Sequence, residues 1–238
     1  MTAGGGAFVF GATGFVGREV VRQLCARGTQ VRAHVRPDSS QLAEWRKTFG
    51  DQGALVDTAA WDPAALSARL GTARPAQLYI LIGTTRKKAR TDSVQGDIYE
   101  AVDLGLTQIA VDAARTAVAA GAPAPRIVYL SSLGADPKAR SAYLRARGKA
   151  EAAVTTSGLP WVIARPSIIT GERDDSRAGE RTAAVVGDGL LSALRLVGAK
   201  GLAAKYRSTT PDILAAALIR LADAPAHDLI ADGAALRS

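Results

Sequence analysis

A single cysteine, Cys25, and two histidines, His34 and His227, leave this 238-residue chain poor in the side chains that build disulfide frameworks and zinc sites. One cysteine excludes an internal disulfide, and the two histidines lie far apart in sequence, so no metal site is expected. Cys25 falls at helical spacing from Val21 and reads as a small core residue, with a reactive thiol as the alternative. No uninterrupted apolar run approaches the ~18 residues of a membrane helix. Met1 to Gly6 has neither the basic start nor the apolar core of a signal peptide, and the expectation is a cytoplasmic protein with no membrane partner. Internal repeats and domain linkers are absent too. The net charge is +8, but the arginines are spread along the whole chain. With no helix-turn-helix, zinc or RNA-binding signature, nucleic acid is not an expected partner.

What is present is the ordinary material of one globular domain, 47% hydrophobic and 22% charged, so a single domain over 1–238 is expected. Its focus is Gly11-Ala12-Thr13-Gly14-Phe15-Val16-Gly17, which follows the apolar run Ala7 to Phe10 and opens a stretch where Val16, Val20, Val21 and Leu24 recur at helical steps. Strand, glycine turn and helix in that order can bring bare backbone against a pyrophosphate, whose charge then sits on N–H groups at the helix N-terminus. Gly17, one turn into the helix, suits close packing of helix on strand. The other reading is a tight turn without a ligand.

Gln30 to Val35 reads as a second strand, ending at Arg36-Pro37-Asp38-Ser39-Ser40. Folds that bind NAD usually place an acidic residue here, whereas arginine suits the 2′-phosphate of NADP. Arg36 therefore favours NADP, with Ser39 and Ser40 as supporting donors, while Asp38 keeps NAD open. Ser40 is placed to cap a short helix through Trp45, and Ala54 to Asp57 reads as a third strand. Asp57 either accepts a hydrogen bond from an adenine amino group or forms a turn. Asp62 caps the next helix, with Pro63 at its first position. Gln77 to Ile82 and Arg126 to Leu130 are apolar enough for strands buried on both faces. They end in Gly83-Thr84-Thr85 and Ser131-Ser132-Leu133-Gly134. A long helix is expected from about Asp97 to Ala120, another from Tyr143 to Thr156, and a strand over Trp161 to Ala164 before Arg165-Pro166. Gly171 to Gly179 reads as a loop, Thr182 to Val197 as a helix and Asp212 to Leu221 as a last helix. This alternation implies an α/β fold with a Rossmann-type, doubly wound parallel sheet, whose ligands lie beyond the carboxyl ends of the strands. Residues 167–238 are expected to supply a small substrate-side region.

The GxxGxxG turn, the basic residue after the second strand, Ser131-Ser132 and Tyr143 together resemble the short-chain dehydrogenase/reductase superfamily. Ile82 to Arg86, Tyr129 to Asp136, Tyr143-Leu144 with Gly148 and Glu151, and Arg165-Pro166 resemble its atypical branch, with the Tat-interacting-protein-like and NmrA-like members. The likeness runs from about Ala7 to Leu221. It implies an NADP(H) site formed by Gly11, Thr13, Gly14, Phe15, Val16, Gly17, Arg36, Asp57, Gly83, Thr84, Ser131 and Pro166. It also implies catalysis by a Ser, a Tyr and a Lys four residues after the Tyr, with Tyr moving the proton, Ser holding the substrate oxygen and Lys holding the ribose and lowering the Tyr pKa. Ser132, or else Ser131, and Tyr143 match, but position 147 is arginine. Two functions follow. One is reduction of a small carbonyl compound, with Arg147 in the lysine's role. The other is non-catalytic NADP(H) sensing, reported to a protein partner that could meet the basic run Arg86 to Arg90, which otherwise reads as a solvated loop. The substrate is not specified, and a monomer or a homodimer is expected.

Overall fold

The computed structural model describes residues 5–83, 99–167, 169 and 209–237. Seven parallel strands form one sheet in the order β3-β2-β1-β4-β5-β6-β7. They are β1 Ala7–Phe10, β2 Val31–His34, β3 Leu55–Asp57, β4 Gln77–Ile80, β5 Arg126–Leu130, β6 Trp161–Arg165 and β7 Leu229–Asp232. The helices are α1 Phe15–Ala26, α2 Leu42–Asp51, α3 Pro63–Ala73, α4 Leu106–Ala119, α5 Ala142–Thr155 and α6 Pro211–Asp223, and a π-helical segment, Tyr99–Gly105, leads into α4. The doubly wound parallel sheet expected from the sequence is therefore the fold.

Alternation along β1 divides the core. Phe8 and Phe10 join Leu66, Leu78, Ile127, Tyr129 and Val154 under α3, α4 and α5. Ala7 and Val9 face the other way, with Val20, Val21, Tyr79, Val128, Leu214 and Leu218, where α1 packs on α6. Both faces are covered, which is why β1, β4 and β5 read as nearly continuous apolar runs. Chain order reverses at β1, whose neighbours are β2 and β4, so the crevice for a ligand lies beyond the carboxyl end of β1.

Several local expectations hold. The Asp62 carboxylate accepts from the Ala65 N–H at 2.8 Å, with Pro63 in the first turn of α3. Cys25 packs against the core, and burial pushes its thiol pKa up, which fits the core reading. Other expectations need correction. Ser40 does not cap α2, which starts at Leu42 and runs past Trp45 to Asp51 because Trp45 stacks on the fully buried Phe49 one turn on. The chain before α4 is wound as a π-helix over Tyr99–Gly105, where sequence periodicity suggests a continuous α-helix. Strand β7 has too short and too mixed a sequence to stand out, and its pairing with β6 defines it. Thr84, Arg86 to Arg90, Asp97, the loop Gly171 to Gly179 and the helix Thr182 to Val197 lie outside the described residues.

At the end of β2, His34 is 3% exposed among Phe10 and Trp61, with ring centroids 5.2 and 5.0 Å away. Its Nε2–H donates to the Ala59 carbonyl at 2.8 Å. Burial lowers its pKa below the ordinary 6.5, outweighing the opposing pull of the Ala59 hydrogen bond and Asp57. The neutral ring thus favours folding fully above pH ~6.5, and that contribution is lost as pH falls below it, by up to ~1.4 kcal/mol per pH unit until the folded-state pKa is passed. Urea unfolding of wild type and His34→Gln between pH 8 and 5 is expected to show the steeper acid loss in wild type. Parallel curves would assign the acid sensitivity to other groups.

Candidate active site

The turn after β1 is shaped by one close approach. A Cβ on Gly17 would stand 2.1 Å from the Gly11 carbonyl oxygen and 2.9 Å from the Ala12 Cα, so only glycine lets α1 start this near the strand. Gly11 itself has φ 77° and lies against the backbone after β4, where a Cβ would be 2.7 Å from Leu81 C and O. Gly14 is the N-cap of α1 and is exposed, Thr13 and Phe15 are half-buried, and Val16 is buried. Gly14 has no side chain with which to cap this helix end, and the first turn contains no acidic residue. A helix N-terminus with glycine at its N-cap, behind a glycine turn at the switch point of the sheet, is a place that a pyrophosphate fits.

Arg36 projects from the carboxyl end of β2, exposed and without a side-chain hydrogen bond or ion pair among the described residues. Its carbonyl accepts from the Ser39 N–H at 3.1 Å, closing the turn that carries Asp38. Asp57 is engaged within the chain. Its Oδ1 accepts from the Ala59 N–H at 3.0 Å and its Oδ2 pairs with Arg69 Nε at 2.8 Å, which is the turn-forming alternative.

Beyond β5, Ser131 Oγ is buried with no hydrogen-bond partner among the described residues, and Ser132 Oγ has only a 3.5 Å contact to the Leu133 carbonyl. The Pro166 carbonyl after β6 accepts from the Leu133 N–H at 2.8 Å, tying the two strand ends together. Glu151 on α5 accepts two hydrogen bonds from Arg165 at the end of β6, fixing the helix to the sheet.

Tyr143 and Arg147 lie one turn apart on α5, and the guanidinium carbon is 5.4 Å from the centre of the Tyr143 ring. Arg147 is not open to solvent. Its Nη1 donates to the Leu130 carbonyl at 2.7 Å and to the Tyr129 hydroxyl at 3.3 Å, and its Nη2 pairs with Asp103 Oδ1 at 2.8 Å, with side chains 6% and 0% exposed. Burial works against the arginine's charge, but Tyr143, Tyr129 and Asp103 outweigh it and raise its pKa above the usual value. Burial likewise pushes the Tyr129 phenol up, opposed in part by Arg147. Gly83, beyond β4, closes the far side of this group, since a Cβ there would be 2.5 Å from Arg147 Nη2.

The structure thus brings Gly83, Ser131, Ser132, Tyr143 and Arg147 to adjoining strand ends. Asp103 is the residue that sequence reading missed. Its signal was an acid between the apolar Val102 and Leu104, but nothing in periodicity shows that it, and not Glu100 or Asp112, is the buried one.

Residues 11–190 match the family model described as NAD(P)H-binding. The chain belongs to this family. Protein fmp52, mitochondrial, of Emericella nidulans is 28% identical over 178 residues, spanning 74% of this chain and 71% of that protein. The NADH dehydrogenase [ubiquinone] 1 alpha subcomplex subunit 9, mitochondrial, of Arabidopsis thaliana is 31% identical over 168 residues, covering 71% of this chain but 39% of the relative. Among solved structures, the Citrobacter sp. triphenylmethane reductase complexed with NADP(H) superposes with a TM-score of 0.60 at 19% identity, over 95% of this chain and 69% of that one. The resemblance to atypical short-chain dehydrogenases/reductases therefore stands, with a reductase-like fold and a nicotinamide cofactor. The cytoplasmic expectation does not stand, because these sequence relatives are named as mitochondrial proteins. It rested on the first six residues and on the lack of a membrane-length apolar run, which say little about destination.

The glycines of the turn after β1 differ in what they tolerate. Gly17→Ala is expected to cost more than ~2 kcal/mol, because backbone must move to admit the Cβ. Gly14→Ala meets only the Gly11 oxygen, at 3.1 Å, and is expected to cost well under half of that. Urea midpoints of the two variants check this, and equal losses would contradict it.

Proposed function

We propose that this protein is an NADP(H)-dependent reductase of a small carbonyl-type compound. The observation that carries the proposal is the Tyr143 ring facing a buried, permanently charged Arg147 at 5.4 Å, beside two serine hydroxyls at the end of β5. In this reading Tyr143 gives a proton to the substrate oxygen, Ser132 orients that oxygen, and Arg147 favours the phenolate left behind. Ser131, whose buried hydroxyl has no hydrogen-bond partner among the described residues, is assigned to the cofactor together with Gly83, Thr84 and Pro166. The turn from Gly11 to Gly17 holds the pyrophosphate, Arg36 takes the 2′-phosphate, and Asp57 shapes the loop beside the adenine. A bound nicotinamide supplies the hydride. Residues 167–238 of this one-domain chain contribute to the substrate side.

A second reading has its own support. Asp103 compensates the arginine's charge inside the protein, and the lysine expected from the resemblance is missing. Both fit an NmrA-like NADP(H) sensor that binds a protein partner, and one relative's name is that of a subunit of a larger assembly.

Titration with NADPH and NADH, followed by nicotinamide fluorescence, tests the cofactor. NADPH is expected to bind at least tenfold more tightly, with Arg36→Ala reducing that preference to within about threefold. Equal binding of both in wild type would remove Arg36 from the role. A screen of carbonyl compounds with NADPH then separates the functions. Loss of at least ~100-fold in kcat in Tyr143→Phe supports the reductase. Turnover unchanged in that variant, or cofactor-dependent capture of a partner without turnover, supports the sensor.

A further inference from the structure

The Arg147 guanidinium is held on three sides. Nη1 spends both hydrogens on Leu130 and Tyr129, Nη2 faces Asp103, and the Gly83 backbone closes the approach beyond. Its Nε is buried with no hydrogen-bond partner among the described residues. That leaves no open fork for the two hydroxyls of a ribose, which is the second task of the lysine that arginine replaces. The element supplying Asp103 is itself unusual. The π-helical segment Tyr99–Gly105 packs on α5 through the edge-on rings of Tyr99 and Tyr143, 5.4 Å apart, and through the ion pair of Glu100 with Lys149. The Thr107 hydroxyl donates to the Asp103 carbonyl at 2.6 Å, fixing the turn from which the carboxylate points.

We infer that Asp103 is a positioning residue: its carboxylate holds the Arg147 guanidinium against the Tyr143 ring, so that Arg147 acts on that phenol as a fixed charge and does not hold the cofactor ribose. The inference deepens the reductase reading and rests on it for its meaning in catalysis, but the contact can be tested without turnover. Among the described residues, the groups around the Arg147–Tyr143 contact are Tyr129 from β5, Tyr99, Glu100 and Asp103 from the π-helical segment, and Lys149 from α5.

The test is ultraviolet titration of tyrosine ionisation in the full chain, each protein measured against its own Tyr143→Phe counterpart so that the difference isolates one phenol. Asp103→Asn keeps an oxygen that can accept from Arg147 Nη2, and so keeps the guanidinium in place while removing the negative charge. Its Tyr143 titration is expected to move down by about one pH unit relative to wild type, with NADPH affinity, read by fluorescence, within about threefold. Asp103→Ala releases the guanidinium, and its Tyr143 titration is expected above that of Asp103→Asn. The double variant Asp103→Asn/Arg147→Met removes both charges, and its Tyr143 titration is expected above that of wild type, because the nearer positive charge is gone. An unmoved titration in Asp103→Asn, or a tenfold loss of NADPH affinity, overturns the inference. If Asp103→Asn fails to fold, the double variant decides: coincidence with wild type overturns it. Failure of the reductase reading would appear separately, as turnover indifferent to Tyr143→Phe while these titrations still move.

Discussion

The distance between the first helix and the first strand sets the geometry of this molecule. Gly17 lets the Gly11 carbonyl occupy the space where any other residue would place a Cβ, so α1 begins directly over the end of β1. That closeness directs the N-terminus of α1 at the crevice where chain order reverses. It also seats α1 against α6, whose Leu214 and Leu218 complete the core on that face. A longer turn would separate helix from sheet and remove the anion site along with the packing. The fold and the candidate anion site therefore depend on the same few atoms.

A second constraint acts across the crevice. An arginine and an aspartate, both nearly inaccessible to water, are tolerated because their charges compensate at 2.8 Å and Leu130 and Tyr129 accept from Nη1. Removing the carboxylate of Asp103 alone takes from the buried guanidinium the negative charge that faces it, and breaking a buried pair in this way typically costs ~3–5 kcal/mol. The pair joins the π-helical segment to α5 at the level of Tyr143. Position 103 thus bears on the candidate chemistry through packing and charge together.

Much of this was legible in the sequence, and the reason is periodicity. Strands buried on both faces leave apolar runs, and helices laid over them leave three- and four-residue spacing, so β1, β4, β5 and α1 could be read from one chain. The glycine turn was legible because its spacing reports a steric requirement. Asp103 was not legible, since its importance comes from a partner 44 positions later, and the π-helical winding before α4 cannot be told from an α-helix by apolar spacing. Strand β7 exists by virtue of β6 beside it. Asp57 was ambiguous because a carboxylate after a strand serves a turn or a ligand equally well, and Arg69, which engages it, lies on the next helix.

The arginine at 147 is best understood through desolvation. A lysine buried this deeply beside the apolar end of β5 tends to lose its proton, because burial disfavours the ammonium, and its charge would then depend on pH and on its partner. A guanidinium keeps its charge at every pH at which the protein is folded, and its planar fork can meet Asp103 and Leu130 together. The exchange of lysine for arginine thus goes with a buried acid on the neighbouring segment, since each makes the other tolerable. The positive charge beside Tyr143 is thereby constant in place and in protonation, but it is shared with Asp103. A site arranged in this way separates two tasks that one lysine would combine: acting on the phenol and holding the sugar.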